Sequence, residues 1–149
     1  MRDGTWAAIF GNGYDSVNGK AKLFILNLQT GAVLKEFAVD TSGNNGLSQP
    51  NFILNANREV INIYAGDLKG KLWKFDVSDT DPVNWNVAFA GTPLFSAVNA
   101  AGKAQPITVM PEITSHTSGC VRSFIATATC ITRLPVVVTT LTSESSSKA

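Results

Sequence analysis

Residues 61–77 read INIYAGDLKGKLWKFDV. Two short runs of strand-forming residues, 61–65 and 71–77, flank Gly66-Asp67-Leu68-Lys69-Gly70. In the second run Trp73, Phe75 and Val77 share one face, with Lys71, Lys74 and Asp76 mostly opposite. That period-two alternation marks a half-buried strand, and two glycines with an aspartate suffice for a bulged hairpin turn. A structural hairpin explains the whole stretch, so Trp73 and Phe75 read as packing residues. Asp67 is placed to accept hydrogen bonds from turn amides, and Asp76 to cap the strand exit before Ser78-Asp79. Catalysis would need a second titratable group beside either one, and the pattern supplies none.

Outward from this hairpin, strand runs and turn signals alternate every eight to twelve residues or so, the mark of an all-β protein. Strands are expected at 6–10, 22–28, 32–39, 51–55, 85–90, 94–98 and 105–110. Residues 41–49 (TSGNNGLSQ) read as a polar loop with little to bury. Gly11-Asn12-Gly13 permits a sharp turn; a phosphate cradle would need a further glycine, a lysine and a following helix, all missing.

An internal repeat narrows the architecture. Residues 19–28 (GKAKLFILNL) and 68–77 (LKGKLWKFDV) align without a gap at an offset of 49, each after an apolar run that exits through glycine, 8–11 and 63–66. A period of about fifty residues with about four strands per unit fits propeller blades. The expectation is an all-β chain: a β-propeller fragment of about two to three blades of short antiparallel strands. Closure needs about four to eight blades, so the chain is expected to be part of a larger propeller or to pair with another copy.

Composition excludes several classes. The 149 residues suit one domain, and a net charge of +1 gives no reason to expect nucleic acid. No apolar run reaches the length of a membrane span, and no signal-peptide core follows Met1. Cys120 and Cys130 are too sparse for a disulfide framework or a zinc site, and His116 is the only histidine. No catalytic, cofactor or metal residue is assigned. Near Ser118 the chain changes character: residues 120–149 contain no glycine or asparagine, and only Glu144 is acidic. Residues 1–119 are read as the partial propeller and 120–149 as an irregular tail, with 126–132 and 136–142 strand-prone and 143–149 disordered. The tail is either an edge hairpin with a flexible end or the product of a shifted reading frame.

The motif Tyr64-Ala65-Gly66-Asp67-Leu68-Lys69-Gly70-Lys71-Leu72-Trp73-Lys74-Phe75-Asp76 resembles the PilC/PilY-type proteins, type IV pilus biogenesis factors and pilus-tip adhesins. Residues 6–14 (WAAIFGNGY) look like that family's tryptophan-led strand. Gly91-Thr92-Pro93-Leu94-Phe95, with Gln105-Pro106-Ile107-Thr108 and Pro111-Glu112, looks like its next blade. The resemblance covers roughly residues 4–119. It implies a C-terminal propeller on a large exported protein at the cell surface, outer membrane or pilus tip. The implied role is pilus biogenesis and adhesion, with pilus components and a host or surface ligand as partners.

The family often carries a calcium loop before this motif. Here the segment is Asn55-Ala56-Asn57-Arg58-Glu59-Val60-Ile61-Asn62, with one carboxylate, no glycine and an added positive charge. Asn55, Asn57 and Glu59 could offer only a weak site, since calcium takes six to eight oxygens, several of them carboxylate. No calcium is therefore expected. Residues 26–35 (LNLQTGAVLK) loosely resemble the quinoprotein dehydrogenase blade signature through Thr30-Gly31, but Asn27 replaces its aspartate and no tryptophan closes it. The reading is a non-enzymatic module; the alternatives are a quinoprotein-type enzyme fragment or a truncated, non-functional piece.

Overall fold

The computed structural model describes residues 1–115 and the strand residues 121–124 and 128–131. It divides into two units, Met1–Pro111 and Glu112–Ala149. The first unit holds two antiparallel sheets. β1 (Ala7–Gly11), β2 (Ala21–Asn27) and β3 (Val33–Asp40) form one in that order. β4 (Asn51–Leu54), β5 (Val60–Gly66), β6 (Lys71–Asp76) and β7 (Asn86–Val87) form the other, with β8 (Phe95–Ser96) also on β6. The second unit contains the meander β9 (Glu112–Ser115), β10 (Val121–Phe124) and β11 (Ala128–Ile131).

The sequence repeat is a structural repeat. Gly11 pairs Leu23 and Ala7 pairs Asn27 across β1 and β2; Gly66 pairs Leu72 and Asn62 pairs Asp76 across β5 and β6. The first strands correspond at an offset of 55 (66 − 11) and the second at 49 (72 − 23), so the first hairpin carries six extra residues. The bonds closing each hairpin's open end also match. Leu28 N–H donates to Trp6 C=O at 2.9 Å, as Val77 N–H does to Ile61 C=O at 3.1 Å. Even the cation over the ring recurs, Lys22 above Phe24 and Lys71 above Trp73.

Period-two burial builds one core between the two blades. Ala21, Leu23 and Ile25 of β2 pack with Ile63, Ala65, Trp73 and Phe75 of β5 and β6, and the Phe37 and Phe75 rings meet at 5.1 Å. The segment expected to be a solvated loop runs into this core. Asn45, Leu47 and Ser48 are buried because residues 41–49 are the crossover from the first blade to the second. Leu47 bridges Gly13 on one side and Asp67 on the other.

Two strands expected from the sequence are shorter than their apolar content suggests. The outer strand of the second blade is split: β6 pairs β7 through Phe75 and Asp76, and β8 through Lys71 and Leu72. Between the two pieces the chain turns outward through left-handed backbone at Phe89, Ala90 and Gly91, which ends the 85–90 strand at Val87. Residues 105–110 form no strand. Pro106 has no N–H for a ladder, and Ile107 instead caps the hairpin, its N–H donating to Asp67 C=O at 2.9 Å. Of the expected tail, β10 and β11 fall within 120–149, whereas 136–142 and 143–149 lie outside the described residues.

Close approach at the crossover requires glycine. A Cβ on Gly11 would lie 2.5 Å from the Ser48 carbonyl oxygen and 2.6 Å from that of Leu47. Both obstacles are backbone and cannot swing aside. Gly11→Ala is expected to destabilise the chain by about 2 kcal/mol, measured by urea unfolding.

Candidate functional site

The second hairpin is organised by a carboxylate that has left water entirely. Asp67 is fully buried. Its Oδ1 accepts the Lys69 and Lys71 backbone amides at 2.9 and 2.8 Å, closing the turn. Its Oδ2 accepts the Trp73 indole N–H at 2.9 Å and Asn45 Nδ2 at 3.1 Å. The turn amides are the expected partners; the indole and Asn45 are not visible in a local reading. Trp73 packs as expected, but it also supplies a donor six residues from the acid, from the strand on the other side of the turn.

Asn45 carries the network onward. Its Nδ2 also donates to Asp40 Oδ2 at 2.7 Å, and its Oδ1 accepts the Gly46 and Leu68 amides. Lys69 Nζ lies 2.8 Å from Asp40 Oδ2. The single cation thus reaches the end of β3, while the buried Asp67 is satisfied by N–H dipoles alone. Burial pushes the Asp40 carboxyl up, but hydrogen bonds from Lys69, Ser42 and Asn45 outweigh it and hold the group well below the usual carboxylate range.

The first blade uses an amide at the equivalent position. Asn12 N–H donates to Lys22 C=O at 2.9 Å and Asn12 Oδ1 accepts the Lys22 amide at 2.9 Å. Asp67 treats Lys71 the same way. The second polar atoms differ because their surroundings differ. Asn12 Nδ2 faces a carbonyl, Lys20 C=O at 2.6 Å, so it must donate. Asp67 Oδ2 faces two donors, so it must accept.

The remaining expected positions are local structure. Asp76 Oδ1 caps Ser78 through both its amide and its hydroxyl. Asn27 Oδ1 accepts the Gln29 and Thr30 amides, an Asx turn that leads into Gly31 at φ 72°. Asn55 Oδ1 accepts the Asn57 and Glu59 amides while its Nδ2 donates to Glu59 Oε2. Those oxygens are spent on the turn and Glu59 also lies near Arg2, so this donor set does not fit calcium. Tyr64 is buried, and desolvation followed by the Asp76 charge pushes its phenol up to about 12. It therefore stays protonated and is no base. His116 and Cys120 lie outside the described residues, as does the side chain of Cys130. Among the described residues, no group of three His, Cys, Asp or Glu side chains could hold a metal, and no helix is long and apolar enough to cross a membrane.

The propeller reading of the repeat agrees with a comparison to known families. The PilY1 beta-propeller domain model matches residues 1–131. The chain belongs to the PilY1 β-propeller family. It is 41% identical over 135 residues to the type IV pilus biogenesis factor PilY1 of Pseudomonas aeruginosa PAO1, covering 78% of this chain and 12% of that protein. A PilY1 homolog of Xylella fastidiosa is 39% identical over 125 residues, covering 72% of this chain and 8% of the relative. The crystal structure of the Pseudomonas aeruginosa PilY1 C-terminal domain matches with a TM-score of 0.74 at 33% identity, over 89% of this chain and 30% of that one. The chain therefore spans a small part of the PilY1 proteins it matches.

Two tests follow from the turn chemistry. Exchanging the turn residues between blades, as Asn12→Asp and as Asp67→Asn, should destabilise the chain by about 2 kcal/mol in each case. The first sets a carboxylate against a carbonyl and the second an amide N–H against the indole; urea midpoints read both. The second test concerns Asp40. Its folded value lies below its ordinary 3.8, so the stability it brings is present above that pH and lost as the pH falls through the folded value. Asp40→Asn should show a shallower loss of stability on acidification below about pH 4 than the parent chain, by thermal melts across a pH series.

Proposed function

We propose that the chain acts as a non-enzymatic propeller module of a type IV pilus biogenesis protein, supporting pilus assembly and surface attachment. The observation that carries the reading is the 41% identity to a type IV pilus biogenesis factor, combined with polar groups already consumed by structure. Asp67, Asp40, Asn12 and Asn45 all have their hydrogen bonds committed within the fold. A scaffold built this way keeps these four groups for structure and presents loops and edges to partners. The partners proposed are pilus components and a surface ligand, and the site of action is the cell surface or pilus tip.

A quinoprotein-type activity is the competing reading, raised by Thr30-Gly31. The Asn27 turn and the Gly31 backbone account for those residues without a cofactor. The purified chain incubated with pyrroloquinoline quinone and calcium should take up no stoichiometric chromophore; uptake would favour the enzyme. For the pilus role, the corresponding region of a piliated bacterium's PilY1 is replaced by this chain. Surface pili and attachment should be retained by the exchanged strain. Loss of both from an exported, folded chimera would refute the proposal.

A further inference from the structure

The crossover places an amine, a carboxylate and a carboxamide in one chain of contacts. Asn45 Nδ2 donates to Asp40 Oδ2 at 2.7 Å, and the same Asp40 oxygen lies 2.8 Å from Lys69 Nζ. Two nitrogens that share one oxygen are neighbours, which supplies the proximity that exchange between an amine and an amide otherwise lacks. At the other atom of the amide, Asn45 Oδ1 accepts the Gly46 and Leu68 backbone N–H groups at 2.9 and 3.0 Å. Paired backbone donors at this range are what an oxyanion needs. Asn45 is buried, while the side chains of Asp40 and Lys69 are 10% and 33% exposed.

We propose that Lys69 and Asn45 form an intramolecular isopeptide bond, with Asp40 as the proton carrier. Lys69 Nζ passes one proton to Asp40 Oδ2 and attacks Asn45 Cγ as the free amine. The carbon–nitrogen bond forms as the carbonyl electron pair moves onto Oδ1, against the Gly46 and Leu68 amides. The Cγ–Nδ2 bond then breaks. The proton on Asp40 and the one shed by the attacking nitrogen leave with Nδ2 as ammonium. Asp40 ends as it began, nothing is oxidised or reduced, and no co-reactant enters. The first proton transfer is uphill, because Asp40, despite its burial, is held low by hydrogen bonds from Lys69, Ser42 and Asn45. The bond therefore forms slowly, after folding has assembled the three groups.

The first blade is an internal control. Asn12 Oδ1 also accepts two amides, those of Lys22 and Leu47, but its Nδ2 donates to Lys20 C=O and Ser16 Oγ. Neither is a carboxylate, so neither carries a proton between a lysine and the amide. The bond belongs to the second blade, where it ties the hairpin turn to the crossover. Closing residues 45 to 69 into a covalent loop restricts the unfolded chain, as any cross-link does.

Intact-mass spectrometry of the full chain, kept folded at neutral pH over days, tests the proposal. The expected result is a growing species lighter by one ammonia, with a branched peptide joining Asn45 to Lys69 after proteolysis. Lys69→Arg keeps the positive charge beside Asp40 and removes the nucleophile; it should hold its full mass with an unchanged circular dichroism spectrum. Asp40→Asn should slow the loss of ammonia by about a hundred-fold. A folded parent chain that keeps its full mass would overturn the proposal. So would an ammonia loss that persists in Lys69→Arg, which would assign it to a succinimide at Asn45-Gly46.

Discussion

A carboxylate removed from water must find its hydrogen bonds in the chain around it, and Asp67 finds four. Two fix the turn, one fixes the indole on β6, and one fixes the crossover through Asn45. An unpaired buried charge is costly, so each of these donors holds its segment in place against a penalty larger than an ordinary hydrogen bond carries. Turn, strand and crossover are thus specified together. The first blade reaches the same backbone arrangement with a neutral amide, since Asn12 accepts the Lys22 and Leu47 amides through Oδ1 and donates to Lys20 C=O and Ser16 Oγ through Nδ2. One geometry is met by two chemistries, and the neighbouring carbonyl or indole decides which.

Hydrophobic burial supplies the driving force but not the register. The faces of β2 and of β5 and β6 that meet between the blades alternate as the pleat requires. The glycine at the end of each first strand sets how near the next segment comes. Gly11 admits the Leu47 and Ser48 backbone, and Gly66 admits Ile107. The two contacts are alike in place and differ in kind, backbone in one and side chain in the other. The blade repeat is therefore a repeat of backbone positions more than of residues.

Much of this was legible from residue order. The hairpin at 61–77, the offset of 49, the strands 22–28 and 32–39 and the propeller class all rest on period-two patterning and glycine-marked turns, which are local signals. The family resemblance drawn from the Tyr64–Asp76 motif held in the comparison with PilY1. What stayed hidden was non-local. Residues 41–49 look solvated because their composition is polar, yet Asn45 is buried by partners 5 and 22 residues away, Asp40 and Asp67. The apolar content of 85–90 suggests a strand, but the neighbouring strand offers it only two pairs before the chain turns away. Nor could composition reveal the second role of Trp73, because the indole donor is aimed only once the hairpin has closed.

The six-residue difference between the two hairpins has a use of its own. Both keep the same closing bonds at their base although one has 4 and the other 10 residue steps from the turn residue to its partner, Asp67 to Lys71 and Asn12 to Lys22. Lengthening a loop by this ratio costs under about 1 kcal/mol of closure entropy. The base sets the register of the two strands, and the length of the loop above it is free to differ. Val17 and Asn18, both exposed in the longer first hairpin, are thus a port for foreign sequence, where an epitope or a binding peptide can be grafted and displayed from a frame that does not need to change.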